Sequence, residues 1–557
     1  MSQDEQREAA DADETQETQG GFLGVVERVG NKVPPPALMF GYLILAVIVI
    51  SWGLNLLGVS ITEEIAVPVS QGEVVHDYYE DTTSPGMISP ETPYEPDWEI
   101  VEQEIPVKSL LSGDGLRFIF SSFVSNFAGF GVVAVVFIAM MGAGVAEESG
   151  LLGSLIRKLV GAAPKWALSF VLIMVGVLSS VASDAGYLIL IPLAAAAFAS
   201  VGRHPLAGLA SGFAGVAAIF MVNIALTPTD AMITEIANEA IELAPGDNAP
   251  LTIVANYFFM IASSILMALV AAIVTDRLVE PRLGKWEPEE GQLGHNAAAE
   301  ISAEADKRGT RFAGIGLLVV VAIVALLTFL PNAPLRHPDD GRIIGDTPFM
   351  DSLLFIIMLI FLVAGVCYGI GAGTMKGSND VLAAITKTFA GLGGMVLMLL
   401  MIAQFIAFFN WSNLPLVIAG SLANLLEQAN IGAIPLLLLF IIVILLLDFL
   451  MPGSLPKWAI FAPIFVPLFI QLGVAPQTLL AAYRVADSPV NALTPLMVYL
   501  PFIVTIAQQY HKKSGIGTVV ALMLPHSVSI FVVWTAFFIL WFALGIPLGP
   551  GYPPSVP

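Results

Sequence analysis

Arg484 and Asp487 lie three residues apart in a stretch that is mostly apolar or small. A guanidinium is a planar fork that holds a carboxylate through two parallel hydrogen bonds. Arg484 is therefore a candidate for binding an organic anion, with Asp487 holding it in place or binding a coupling ion. The same spacing puts the two on one helix face, so they could instead pair with each other. Asp184 sits in a second polar interruption, Ser179-Ser180-Val181-Ala182-Ser183-Asp184. Asp448, Ser454, Lys457 and Trp458 surround a third, Met451-Pro452-Gly453. Ionisable groups inside apolar segments are costly and usually face a cavity. Asn223, Thr227, Asn491 and Thr494, with Ser183, offer hard oxygens that suit Na⁺, or they serve an unwound backbone. Trp458 could stack on an aromatic ring or anchor at an interface. His526, after Pro525, reads as a hydrogen-bonded spacer or a proton relay.

These residues need elements to carry them. The chain has 557 residues, 56% hydrophobic and only 12% charged, with mean hydropathy +0.82. Soluble domains carry about 25% charge, so the composition excludes a soluble fold and implies an all-α polytopic membrane protein. The net charge of −22 is local. Residues 1–20 hold seven acids and one base, and residues 59–107 hold twelve acids and no Lys or Arg. Such segments suit solvation in high salt, as in a halophile. No dense basic patch exists, which disfavours nucleic acid. A single cysteine, Cys367, excludes an intrachain disulfide or a Cys cluster. The acidic N-terminus lacks the apolar core of a signal peptide.

A crossing needs roughly 20 apolar residues. Runs of that length lie at 37–57, 118–146, 251–275, 312–331, 350–370, 388–410 and 517–545. Two regions, 165–199 and 432–472, instead hold paired arms of about 16 residues around a polar tip, short for a crossing. They predict re-entrant hairpins. Each is followed by a segment broken near a Leu-Thr-Pro, 205–228 and 477–510, where proline should unwind the helix. The resulting layout is an acidic tail (1–21), a first span (22–57) and an acidic extracytoplasmic insert (58–117). A first repeat (118–275), a cytoplasmic connector (276–311), a second half (312–545) and a terminal tail (546–557) follow.

The two broken regions resemble each other. A shift of 271 superimposes Ser183 on Ser454, Pro192 on Pro463 and Pro205 on Pro476; a shift of 267 superimposes Leu226-Thr227-Pro228 on Leu493-Thr494-Pro495. Arg157, Lys158, Lys165 and Arg203 flank the first hairpin, whereas 427–431 and 471–476 hold no Lys or Arg. By the positive-inside rule the first enters from the cytoplasm and the second from outside. Inverted repeats with broken helices meeting near the midplane mark secondary transporters. Arg277, Arg282, Lys285, Lys376, Lys387, Lys512 and Lys513 agree with nine spans, the N-terminus in and the C-terminus out. Arg336 and Arg342, in a loop expected outside, dissent.

Four segments resemble the AbgT family of p-aminobenzoyl-glutamate transporters. They are Val26-Glu27-Arg28-Val29-Gly30-Asn31-Lys32-Val33-Pro34, Ser183-Asp184-Ala185-Gly186-Tyr187, Gly453-Ser454-Leu455-Pro456-Lys457-Trp458 and Tyr483-Arg484-Val485-Ala486-Asp487-Ser488. The resemblance runs from about 22 to 545 and leaves the 59–107 insert unexplained. It implies a homodimer of nine-span subunits with two hairpins and a solvent-filled basin in each. It implies uptake of p-aminobenzoyl-glutamate or export of sulfonamide antimetabolites, driven by Na⁺ or protons. Its implicated residues match Asp184, Trp458, Pro476, Arg484, Asp487 and Pro495.

The sequence therefore reads as a plasma-membrane secondary carrier of aromatic organic anions. No cofactor is expected beyond possible Na⁺. A sodium–dicarboxylate carrier is the nearest alternative, and a channel is another. An intramembrane enzyme using Asp184 and Asp487 needs two carboxyls sharing a proton, which Arg484 beside Asp487 disfavours. No HExxH or GxxxxGK[ST] occurs, so no zinc-hydrolase or ATP-pump motif is present.

Overall fold

The computed structural model describes residues 35–68, 98–180, 186–244, 248–286, 302–343, 347–428, 432–449, 451, 453–494 and 496–555. The acidic tail, residues 69–97 of the acidic insert, residues 287–301 of the connector, and Ser183, Asp184 and Pro495 lie outside them.

In chain order the elements begin with α1 (Pro36–Leu56), β1 (Ser60–Pro68), β2 (Trp98–Pro106), α2 (Gly113–Ala128), α3 (Gly131–Glu148) and α4 (Leu151–Gly161). The first hairpin is α5 (Leu168–Ser179), a π turn at Gly186–Leu190 and α6 (Ile191–Ser200). The first broken helix is α7 (Pro205–Phe213) with a π turn at Ala214–Ala218, then α8 (Pro228–Ile241). Next come α9 (Tyr257–Leu283), α10 (Ala303–Phe329), α11 (Leu353–Ala372), α12 (Ser378–Gly391), α13 (Gly393–Trp411) and α14 (Leu414–Gln428). The second hairpin is α15 (Ala433–Asp448) and α16 (Ser454–Gln471). The second broken helix is α17 (Pro476–Asp487), a 3₁₀ turn at Pro489–Ala492 and α18 (Leu500–Tyr510), and α19 (Ile516–Ala543) closes the series.

Among the described residues eight helices are long and apolar enough to cross a membrane, or nine if α4 and the bent segment after it are one span. Seven of the eight are the continuous spans read from the sequence; the eighth is α16, a hairpin arm that keeps its helix through Pro463 and Pro467. The outer helices show what they face. On α1, Leu38, Tyr42, Leu45, Val49, Trp52 and Leu56 form an exposed stripe at alternating spacings of three and four. Such a stripe suits hydrocarbon or a packed partner, not water.

The run at 118–146 breaks at Gly129–Phe130 into α2 and α3, where Gly129 and Gly131 interrupt the apolar sequence. Other expectations change. The insert holds two antiparallel strands, pairing Ser60 with Pro106 through Pro68 with Trp98, in a described fold that is otherwise all-helical. The 29 residues of sequence between them, 69–97, give no local signal of a two-residue hairpin. The amphipathic α4 and α12, and α14, fill stretches to which the sequence assigned no element. Residues 229–241, read as an outside loop bearing Glu235 and Glu239, form α8 instead. Thr227 caps that helix, Pro228 takes its first position and Asp230 completes a capping box. A proline that ends one helix is also a favoured start for the next. The connector 276–311 is shorter than expected, because α9 runs to Leu283 and α10 begins at Ala303. Arg336 is bound to the last carbonyls of α10, Thr328 at 2.9 Å and Phe329 at 3.4 Å. It serves as a helix cap, which gives this dissenting charge a structural reason.

Each hairpin returns to the end it left. On the first, Ser169 donates to Asp276 at 2.5 Å and Arg203 pairs with Asp276 at 2.6 Å and with Glu280. On the second, Ile434 and Leu438 line a groove with Phe538 and Phe542, and Val474 bridges to Ser555. The first mouth thus meets the Asp276–Glu280 end of α9. The second meets its other end, where Asn256 donates to the Gln477 carbonyl at 2.8 Å. The 27 residues between span about 40 Å.

Candidate functional site

The two broken helices meet in the interior. Asn223, in the first break, donates to the Val177 carbonyl at 2.7 Å and to Ser180 Oγ at 2.8 Å, tying the break to the first hairpin. Thr494, in the second break, donates to the Phe449 carbonyl at 3.0 Å, tying it to the second hairpin. Asn491 donates to the Asp487 carbonyl at 2.7 Å, and Thr227 caps α8. Of the five side chains proposed as Na⁺ ligands, Ser183 lies outside the described residues and the other four hold main-chain groups in this conformation. An unwound backbone buried at this depth needs such partners.

Arg484 and Asp487 do not pair, although they share α17. The Arg484 side chain is 1% exposed and binds Asp230 of α8 at 2.5 Å. It also donates to the Met221 carbonyl at 2.8 Å and to Asn256 Oδ1 at 3.1 Å. Its partners therefore come from the first broken helix and the start of α9. Ser488 Oγ accepts the Met221 N–H at 3.3 Å, a second bond between the breaks.

Asp487 is held by the second hairpin. Lys457 Nζ lies 2.5 Å from its Oδ1, and Ser454 Oγ donates to its Oδ2 at 2.5 Å. The Tyr483 hydroxyl lies 2.6 Å from the Ser454 carbonyl oxygen and 3.2 Å from Asp487 Oδ1. Lys457 also pairs with Asp448, the last residue of α15, and all three charged side chains are fully buried. Asp448 Oδ2 has no hydrogen-bond partner among the described residues.

Trp458 is not an interfacial anchor. It is fully buried, donates its indole N–H to the Ile233 carbonyl at 2.9 Å, and lies 4.6 Å from the Tyr483 ring. Pro476 opens α17 at its first turn. Beside it, Gln477 donates to the Pro553 carbonyl at 2.6 Å, so the C-terminal tail covers the start of the helix that carries Arg484. His526 is packed between Thr275, at 2.8 Å, and the Leu522 carbonyl, at 3.1 Å, which is the spacer arrangement.

The structure thus gathers Ser454, Trp458, Arg484 and Asp487 with residues absent from the expected set: Asp230, Asn256, Tyr483, Asp448 and Lys457. Asp448 and Lys457 stood out as charges in apolar sequence. Asp230 had a signal too, the third position after a capping threonine. Asn256 had none. The set offers a buried cation for a carboxylate, an aromatic wall, and a second hairpin tip rich in charge.

Comparisons with known proteins agree on what such a molecule is. Residues 21–556 match the model of the AbgT putative transporter family. The p-aminobenzoyl-glutamate transport protein of Escherichia coli K12 is 32% identical over 538 residues, covering 96% of this chain and 97% of that one. Two solved structures superimpose with a TM-score of 0.81 each. The YdaH transporter of Alcanivorax borkumensis, described as having an unusual topology, is 35% identical and covers 93% of this chain and 100% of its own. MtrF of Neisseria gonorrhoeae, described within a class of antimetabolite efflux pumps, is 33% identical and covers 96% of this chain and 100% of its own. The chain belongs to the AbgT family and is a multi-pass membrane transporter, not an enzyme.

Proposed function

We propose that the protein is a secondary carrier of aromatic, carboxylate-bearing solutes of the p-aminobenzoyl-glutamate type, driven by a Na⁺ or proton gradient across the plasma membrane. The observation that carries this reading is Arg484, a buried guanidinium between two broken helices, bound to a carboxylate from the other half of the molecule. A fork that holds Asp230 suits a solute carboxylate equally well. Trp458 and Tyr483, on the neighbouring hairpin arm and on Arg484's own helix, favour an aromatic solute over a plain dicarboxylate. The transport proteins named above supply the solute class. The mouths of the hairpins, at opposite ends of α9, support inverted repeats that move a hairpin-bearing part from one leaflet to the other. In that reading Arg203 and the first mouth are cytoplasmic, the C-terminal tail is outside, and two copies form the working dimer.

The test is uptake of labelled p-aminobenzoyl-glutamate into proteoliposomes, with Na⁺ and proton gradients imposed separately. Saturable uptake driven by one gradient is expected, and Arg484→Ala should abolish it. Trp458→Phe is the better probe of the ring, because truncating so large a buried side chain to Ala costs about 3–5 kcal/mol of stability by itself. Equal uptake of succinate would move the reading to a dicarboxylate carrier. Gradient-independent flux would move it to a channel.

A further inference from the structure

We propose that Asp230 is a built-in stand-in for the solute's carboxylate: it occupies Arg484 when the carrier is empty, and the solute displaces it. This rests on the transport reading above and adds a residue and a step to it. A guanidinium this deeply buried is destabilised without an anion beside it. Asp230 supplies that anion through one oxygen only, Oδ1, at 2.5 Å from Arg484 Nη1.

Its other oxygen is committed elsewhere. Oδ2 accepts the Thr227 N–H at 2.8 Å and the Thr227 hydroxyl at 2.7 Å, inside the capping box of α8. The free N–H groups at a helix start, and the positive end of its dipole, stabilise an anion there. Asp230 can therefore release Arg484 and still be solvated by α8. An ordinary ion-pair partner would be left as a bare buried carboxylate. Arg484 is likewise kept in place when Asp230 leaves, by the Met221 carbonyl and by Asn256. The exchange of one carboxylate for another thus needs little rebuilding on either side.

Asp230 lines a closed seam with Met221, Asn223 and Thr227 that has no room for a water molecule in this conformation, so the exchange takes place only when the two breaks part. Because Asp230 belongs to the first half and Arg484 to the second, swapping partners changes what fastens the halves together. An empty carrier keeps its charges paired as it returns, and a loaded one is paired by its cargo.

Asp230→Asn separates these states. Labelled p-aminobenzoyl-glutamate uptake is measured into empty proteoliposomes, which requires return of the empty carrier, and into proteoliposomes preloaded with unlabelled solute, which does not. Net uptake is expected to fall roughly tenfold or more beyond any fall in exchange, since only the empty carrier carries an unpaired buried cation. Equal losses in the two modes overturn the proposal. A second measurement needs no transport. Asp230→Ala leaves space beside Arg484, so formate should raise its thermal stability, chloride should not, and the Asp230→Ala/Arg484→Ala double variant should not respond. Absence of rescue by formate in the single variant also overturns the proposal. Failure of wild type to take up the solute, with rescue intact, would fault the assigned solute and leave the role of Asp230 at Arg484 standing.

Discussion

Replacing Lys457 by methionine tests whether the charges at the second hairpin tip act as one unit. The Lys457 ammonium lies between Asp448 and Asp487, and none of the three side chains is exposed. The group therefore sets two carboxyl groups against one ammonium. Removing the cation leaves two carboxylates facing each other without compensation. Breaking one buried pair by deleting a partner costs about 3–5 kcal/mol, so Lys457→Met should lose at least that much. Asp448→Asn is the informative contrast. It removes the excess charge, leaves Lys457 paired with Asp487, and fills the same volume. Asp448 Oδ2 has no partner among the described residues, so the substitution sacrifices no bond there. Its cost should be about 1 kcal/mol or less, the scale of one net hydrogen bond. Asp487→Asn should fall between, because Ser454 and Tyr483 lose a charged acceptor as well. The assay is thermal and denaturant unfolding of purified protein, followed by tryptophan fluorescence. Adding Asp448→Asn to Lys457→Met should recover part of the loss, since one carboxylate then remains instead of two. Equal destabilisation by Lys457→Met and Asp448→Asn, or a double variant worse than either, would refute this account of the cluster.

Two further outcomes follow from packing. Gly176 of α5 lies against Gly215 in the π turn after α7, and a Cβ on Gly176 would sit 2.8 Å from the Gly215 Cα. Gly176→Ala should cost about 1–3 kcal/mol as an overpacking change, whereas Gly161→Ala, which meets open space, should leave unfolding essentially unchanged. The Tyr552 hydroxyl in the C-terminal tail bonds the Thr252 N–H at 2.9 Å and Thr252 Oγ1 at 3.0 Å. Tyr552→Phe should lose about 1–2 kcal/mol and make the tail more sensitive to protease, with uptake measured in parallel to see whether α17 responds.

The tail shows how a feature of little sequence interest gains weight in the fold. Residues 546–555 are short and proline-rich, yet they bridge the start of α9 to the start of α17. Leu548 accepts the Phe259 N–H at 3.1 Å, while Pro553 accepts from Gln477. Arg484 lies two helical turns beyond Gln477 on the same helix. The strap therefore holds the Pro476 end of the element that carries the buried cation.

What the sequence determined by itself is whatever depends on local composition and period. Long apolar runs specify spans because each residue meets hydrocarbon or packed protein regardless of its distant partners. The order of short arm, polar tip, short arm and proline break was legible because proline and polar clusters interrupt a helix wherever they occur. Other features lacked a local cause. The paired strands at 60–68 and 98–106 have no connecting turn signal. Residues 229–241 looked like an acidic loop, since a capping box counts only once the chain around it is packed. The partner of Arg484 was beyond reach for the same reason. Its spacing to Asp487 was sufficient to place both on one face of α17, yet the two then point to different neighbours, Asp487 to Lys457 and Arg484 to an aspartate 254 residues away in sequence. A buried charge is satisfied by whichever opposite charge the assembled helices bring within reach, and that choice belongs to the tertiary structure.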